Sequence, residues 1–108
     1  MKIYVVALAM VTSVAALSRK VQRHDPDLAR QMRRSSTSVP LNMAEGWHAV
    51  GGIRTARFNT AIQEARETTT ALEIARSCGY LTAQEVAADL DRLDHIVAVL
   101  WKLCRTRR

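Results

Sequence analysis

The sequence predicts an all-α fold, an antiparallel up-down four-helix bundle, and three observations lead there. Four Gly and two Pro in 108 residues are too few for the turns of a sandwich or barrel. Ala, Leu, Arg and Glu, all good helix formers, dominate the composition. Apolar residues recur at alternating intervals of four and three, the spacing of a helical seam, between short breaker segments. A chain of 108 residues makes one domain, residues 1–108, with one core.

The first helix is expected over residues 2–23. Ile3, Ala7, Met10, Val14, Leu17 and Val21 are spaced 4, 3, 4, 3 and 4 apart. The same segment also has the form of a signal peptide, Met1-Lys2 followed by an apolar run to Leu17, which would make the chain an exported one. The seam continues past any cleavage point to Val21, which favours the helix. Thr12 and Ser13 punctuate the run, which reads as too short for a transmembrane span.

His24-Asp25-Pro26-Asp27 breaks the pattern. Asp25 is placed to cap the second helix, Pro26 suits its first position, and Asp27 suits the positive end of its dipole. That helix is expected over 26–48, with Leu28, Met32, Ser35, Val39 and Met43 inward. Pro40 lacks a backbone N–H and clashes one turn back, so a kink is expected there. Two shorter helices divided by a Ser-rich loop are the alternative.

Gly51-Gly52 reads as a linker, and the third helix as 53–78, burying Phe58, Ala61, Ala65, Thr68, Leu72 and Ala75. Gly79 suits the position after a helix end, with Tyr80-Leu81 folding back. Thr82 and Glu85 form a capping box for the fourth helix, 82–105. Its seam reads Val86, Leu90, Leu93, Val97, Leu100 and Cys104. Ile96, Val99 and Leu103 lie outside that seam and predict either a subunit contact or fuller burial.

The run Arg33-Arg34-Ser35-Ser36-Thr37-Ser38-Val39-Pro40-Leu41-Asn42-Met43-Ala44-Glu45-Gly46 resembles the signature of the four helix bundle family, also called ribosomal-RNA intervening-sequence proteins. That family's pattern is approximately R-R-x-x-x-S-[IV]-P-x-N-[IM]-A-E-G. Ala61, Glu67, Leu72, Ala75 and Gly79-Tyr80-Leu81 also stand where the family carries its later segments. The family's Gly-Ser in the third helix is replaced by Gln63-Glu64, and the first helix lacks the usual charged and aromatic start. The resemblance implies an all-α fold, a ring-like homo-oligomer, a pentamer, and no enzymatic activity. A similar protein is the basic accessory subunit of diversity-generating retroelements, which implies nucleic acid and a protein such as a reverse transcriptase as partners.

The net charge is +6, and Arg outnumbers Lys thirteen to three. A planar guanidinium matches a phosphate, so a polyanion is the expected partner. A solvated basic surface is the plain alternative. The charge is uneven: residues 1–58 hold nine bases and three acids, residues 59–101 three bases and seven acids. An up-down bundle would gather Arg19, Lys20, Arg23 and Arg30 at one end. It would gather Arg54, Arg57, Lys102, Arg105, Arg107 and Arg108 at the other. Arg30, Arg33 and Arg34 are spaced to share a face. These bases are the candidate nucleic-acid contacts. No aromatics are interleaved with them, so the expected binding is electrostatic and salt-sensitive.

Ser38, Pro40, Asn42, Glu45 and Gly46 read as structural, with Asn42 and Glu45 satisfying backbone opened by Pro40 and Gly46 allowing close packing. Nothing groups His, Cys and carboxylates for nucleophilic or metal chemistry, and no phosphate-loop or dinucleotide fingerprint exists, so no enzyme and no cofactor are expected. His95 is expected to pair with Asp91 or Asp94. Cys78 and Cys104 fall at opposite ends, beyond the about 7 Å Cα limit for a disulfide, which suits a reducing cytoplasm and no membrane. The rival functional reading is a protein-interaction adaptor using the apolar residues of the fourth helix and Trp101.

Overall fold

Short polar side chains and one glycine set where the helices start and stop. The computed structural model describes residues 1–105, in four helices: α1 (Lys2–Gln22), α2 (Pro26–Trp47), α3 (Gly51–Ser77) and α4 (Ala83–Arg105). Asp25 is extended and its Oδ1 accepts from the Leu28 N–H at 3.0 Å, with Pro26 in the first turn. Thr82 and Glu85 bond reciprocally, N–H to side chain, at 2.9 and 3.1 Å. Gly79 takes φ +79°, which lets its own N–H reach the Arg76 carbonyl and the Tyr80 N–H reach Ala75, at 3.0 and 2.9 Å. That pair of bonds closes the last turn of α3.

The glycine pair is not a linker. Gly51 and Gly52 lie in the first turn of α3, and the connection is residues 48–50. Gly51 has φ +60°, so it turns the chain from extended Val50 directly into the helix.

Every inward position expected for α1, α2 and α3 is buried. In α4 the expected register is rotated. Val86, Leu93 and Leu100 are buried, but Leu90, Val97 and Cys104 are only partly so, and Asp89 and Ile96 take the core positions. Val99 and Leu103 are half-buried against the core, so the apolar residues outside the expected seam are largely absorbed within the monomer. The rotation buries a carboxylate. Asp89 accepts a short hydrogen bond from Ser13 Oγ of α1 and one from Arg92 Nη1 at 2.9 Å. A carboxylate out of water is tolerated only with such donors, so they hold α4 in this orientation.

α2 runs through Pro40 without interruption, and the Ser-rich loop alternative is not realised. The proline leaves the Ser36 carbonyl without its helical donor. Around it, Ser36 and Thr37 hydroxyls donate back to the Arg33 carbonyl at 3.2 and 2.8 Å. Asn42 Nδ2 donates to the Ser38 carbonyl and hydroxyl at 2.9 and 3.0 Å. Asn42 therefore braces its own helix, whereas Glu45 leaves that network and pairs with Arg57 of α3.

α2 and α3 approach closely at Gly46, where an added methyl would lie 2.6 Å from the Phe58 ring. About three turns earlier on α2, the Ser35 and Thr68 hydroxyls meet at 2.8 Å. Thr68 already donates to the Glu64 carbonyl, so Ser35 is the donor in that pair.

α1 packs on α2, α2 on α3, α3 on α4 and α4 back on α1, so the α1/α2 face lies opposite the α3/α4 face. At one end the His24 and Tyr80 rings stack in parallel, 4.9 Å apart. At the other, Met1, Tyr4, Ala44, Trp47 and His48 line a cavity of about 260 Å³. Both cysteines are free, Cys78 at the first end and Cys104, near Asn59, at the second.

Gly46→Ala is expected to destabilise the fold by about 1–3 kcal/mol in urea denaturation, because the buried Phe58 ring has to move. Glu85 is held below its ordinary carboxylate range by the Lys20 hydrogen bond first and the Thr82 N–H second. A depressed folded value means that its stabilisation is full at neutral pH and is lost as pH falls below 4.5 toward the folded value. Glu85→Gln is therefore expected to lower the melting temperature at pH 7 and to change it much less at the bottom of that window, read by thermal denaturation across pH.

Candidate nucleic-acid interface

The last turn of α1 and the first two turns of α2 present an arginine cluster. Arg19, in the last turn of α1, and Arg23, the residue that caps its end, are both exposed. Arg33 reaches across from α2, its Nη1 donating to Gln22 Oε1 at 3.2 Å, which brings it to the end of α1. Among the described residues none of these three guanidinium groups has a carboxylate partner. Arg30 and Lys20 share this end, but Arg30 pairs with Asp27 at 2.9 Å and Lys20 with Glu85. Arg30 and Asp27 are both well exposed, so that pair is weak and leaves the arginine available.

The other expected contacts are dispersed by the tertiary structure. Arg34 does not share a surface with Arg33: it turns toward α3 and bonds Glu64, at 3.0 Å, and Glu67. The Glu67 hydrogen bond, and then the charge of Glu64, raise its guanidinium above the ordinary value. Glu64 stands where the resembled family carries a small residue, so here an ion pair joins α2 to α3. Arg57 is bound to Glu45 at 3.0 Å. Arg105 stacks on Trp101, 3.6 Å from the ring centroid. Lys102 is exposed, and Arg107 and Arg108 lie outside the described residues.

Arg54 is a correction of substance. It is 4% exposed, over the Phe58 ring at 4.7 Å and the Trp47 ring at 5.6 Å, with Nη1 donating to the Gly46 carbonyl at 3.4 Å. Its Nε and Nη2 are buried without a hydrogen-bond partner. The aromatic faces and the negative end of α2 offset part of the charge. A residue so enclosed serves the α2–α3 corner and cannot meet a phosphate.

The expected His95 pair is absent as well. His95 bonds neither Asp91 nor Asp94 and instead borders a cavity of about 400 Å³ with Met1, Trp47 and Leu103. Among the described residues, no three His, Cys, Asp or Glu side chains form a group able to hold a metal ion. Two features escaped sequence reading: the buried Asp89, hidden among surface-like charges of α4, and the His24–Tyr80 stack, formed by residues in different turns.

The fold defines a small all-α four-helix bundle. The chain belongs to the 23S rRNA-intervening sequence protein family, which it matches over residues 1–102. Its fold is similar to the crystal structure of a protein with unknown function from the S23 ribosomal protein family of Bacteroides thetaiotaomicron. The TM-score is 0.88 at 21% identity, covering 96% of this chain and 99% of that one. No curated protein matches this sequence.

Arg54→Met is expected to change unfolding free energy by no more than about 1 kcal/mol, because an apolar side chain of similar length removes the buried charge and its unbonded N–H groups together. Arg54→Glu is expected to cost about 3 kcal/mol or more, by placing a carboxylate against two ring faces and a helix C-terminus. Chemical denaturation of both variants checks the contrast.

Proposed function

We propose that this protein is a non-catalytic, basic, self-associating helical scaffold that binds RNA or DNA through phosphate contacts at the α1–α2 end. The observation that carries the reading is that Arg19, Arg23 and Arg33 converge there, exposed and without a carboxylate partner among the described residues. Lys20 and Arg30 at the same end, and Arg34, Arg57 and Arg92 elsewhere, stand beside carboxylates. Three uncompensated guanidinium groups on one end attract a polyanion and release its counterions on contact. Phosphate contacts carry no base information, so binding is salt-sensitive and weakly sequence-specific. The family's name makes structured ribosomal RNA the first probe. The free thiols suit work in the cytoplasm.

The adaptor reading keeps one supporting observation: Trp101, 49% exposed under Arg105, offers an anchor for a protein partner such as a reverse transcriptase.

Nuclease-treated protein, titrated with labelled structured RNA and with duplex DNA at two salt concentrations, tests the proposal. Arg23→Glu/Arg33→Glu is expected to weaken binding at least about tenfold and to flatten the salt dependence, with circular dichroism unchanged. Wild-type protein that ignores both nucleic acids at low salt would overturn the proposal in favour of the adaptor.

A further inference from the structure

We propose that the stacked rings of His24 and Tyr80 form a platform for an unpaired nucleobase, so that the arginine end of the bundle holds a single strand by a base as well as by its phosphates. The inference rests on the phosphate binding in the proposed function and adds the kind of strand this site takes.

The sequence places no aromatic residue among these arginines, but the fold brings a pair of rings to them. His24 lies in the turn after α1 and Tyr80 in the turn after α3, and both turns stand at the same end of the bundle. The ring centroids are 4.9 Å apart and the planes are 1° from parallel. Backbone bonds fix both turns. The N–H groups of His24 and Asp25 donate to the Val21 carbonyl at 2.9 Å, and those of Tyr80 and Leu81 donate to the Ala75 carbonyl at 2.9 and 3.3 Å. Leu81 is buried, and Tyr80 is packed against the core. The platform is therefore set before a ligand arrives, and little ordering cost falls on binding.

Tyr80 covers one face of the imidazole. His24 is nevertheless exposed, so its opposite face and its edges meet solvent. A flat ring seated on one face and open on the other is a surface on which an extruded base stacks. A base inside a duplex has both faces covered by its neighbours and cannot reach it. Every base has a π-face, so the platform selects an unpaired nucleotide and not a sequence.

The charges around the rings suit the phosphates that flank such a base. Arg23 is the chain neighbour of His24, Arg19 stands a turn before it, and Arg33 is tied to Gln22 beside it. Arg76, exposed in the last turn of α3, has no ion partner among the described residues and adds a base on the Tyr80 side. The nearest acids are engaged: Asp25 by the Leu28 N–H, Asp27 by Arg30 and Glu85 by Lys20. Glu73 lies a turn deeper on α3, beyond Arg76. α1 itself is long and apolar enough to cross a membrane, which corrects the expectation that it is too short. Apart from Lys2, its bases stand in its last turn, so the charge that α1 carries is delivered largely at the platform.

The test titrates the full-length, nuclease-treated protein with a labelled oligouridylate and with an abasic strand of the same length, at two salt concentrations. Wild type is expected to bind the oligouridylate at least about tenfold more tightly than the abasic strand. His24→Ala is expected to bring the oligouridylate down to the abasic level and to leave the abasic affinity and its salt dependence unchanged. His24→Trp, which keeps a ring and carries no ionisable group, is expected to restore the difference. Circular dichroism confirms that both variants fold. A 2-aminopurine placed in the strand is expected to lose emission on binding wild type, a readout that phosphate contacts alone do not move. Equal affinity of wild type for the two strands, or unchanged 2-aminopurine emission, would overturn the platform while leaving phosphate binding standing. So would a His24→Ala that weakens both strands alike, or a His24→Trp that restores nothing. Wild type that binds neither strand, nor structured RNA, nor duplex DNA would overturn the platform and the proposed function together.

Discussion

The close approach of α2 to α3 at Gly46 is the constraint from which much of the structure follows. Two antiparallel helices have one degree of freedom along their axes, and a contact too tight for a methyl group removes it. With Gly46 against Phe58, Ser35 falls opposite Thr68 and Arg34 opposite Glu64 and Glu67. The same register brings Glu45 to Arg57 and sets Arg54 beneath the end of α2. The RRxxxSVPxNMAEG run is thus a packing signature along most of its length. Its proline is bracketed by side-chain hydrogen bonds, its asparagine braces the turn after the proline, and its glycine admits the neighbouring helix.

That register also sorts the arginines. Arg34 and Arg57, on the α2–α3 side, find carboxylates within reach, and Arg33, turned toward α1, finds none among the described residues. Arg33 and Arg34 are neighbours in sequence but diverge by the 100° step of a helix, one to Gln22 and the other to two glutamates. Pairing with acids makes the basic character suggested by the net charge uneven. Among the described residues, unpaired arginines remain at the α1–α2 end, at Arg66 and Arg76 of α3, and at Arg105 stacked on Trp101.

α4 shows the same division between pattern and environment. The orientation that leaves Leu90 and Val97 half-buried also buries Asp89, which accepts from Ser13 of α1 and from Arg92. The leucine and valine then line a surface depression between α3 and α4.

The sequence by itself determined the fold class, the four helices, the caps at Asp25, Thr82 and Gly79, and the buried faces of α1 to α3. These are legible because capping and amphipathic periodicity act between residues within one or two turns, where spacing along the chain is spacing in space. The family was legible too, in one contiguous run on α2. Only the tertiary structure decided the rotation of α4, the role of Gly51, the burial of Arg54, and which arginines stay unpaired among the described residues. Each depends on a partner tens of residues away, such as Ser13 for Asp89 or Glu67 for Arg34. Local spacing carries no record of which residues meet across helices, because register and rotation are settled by packing between them.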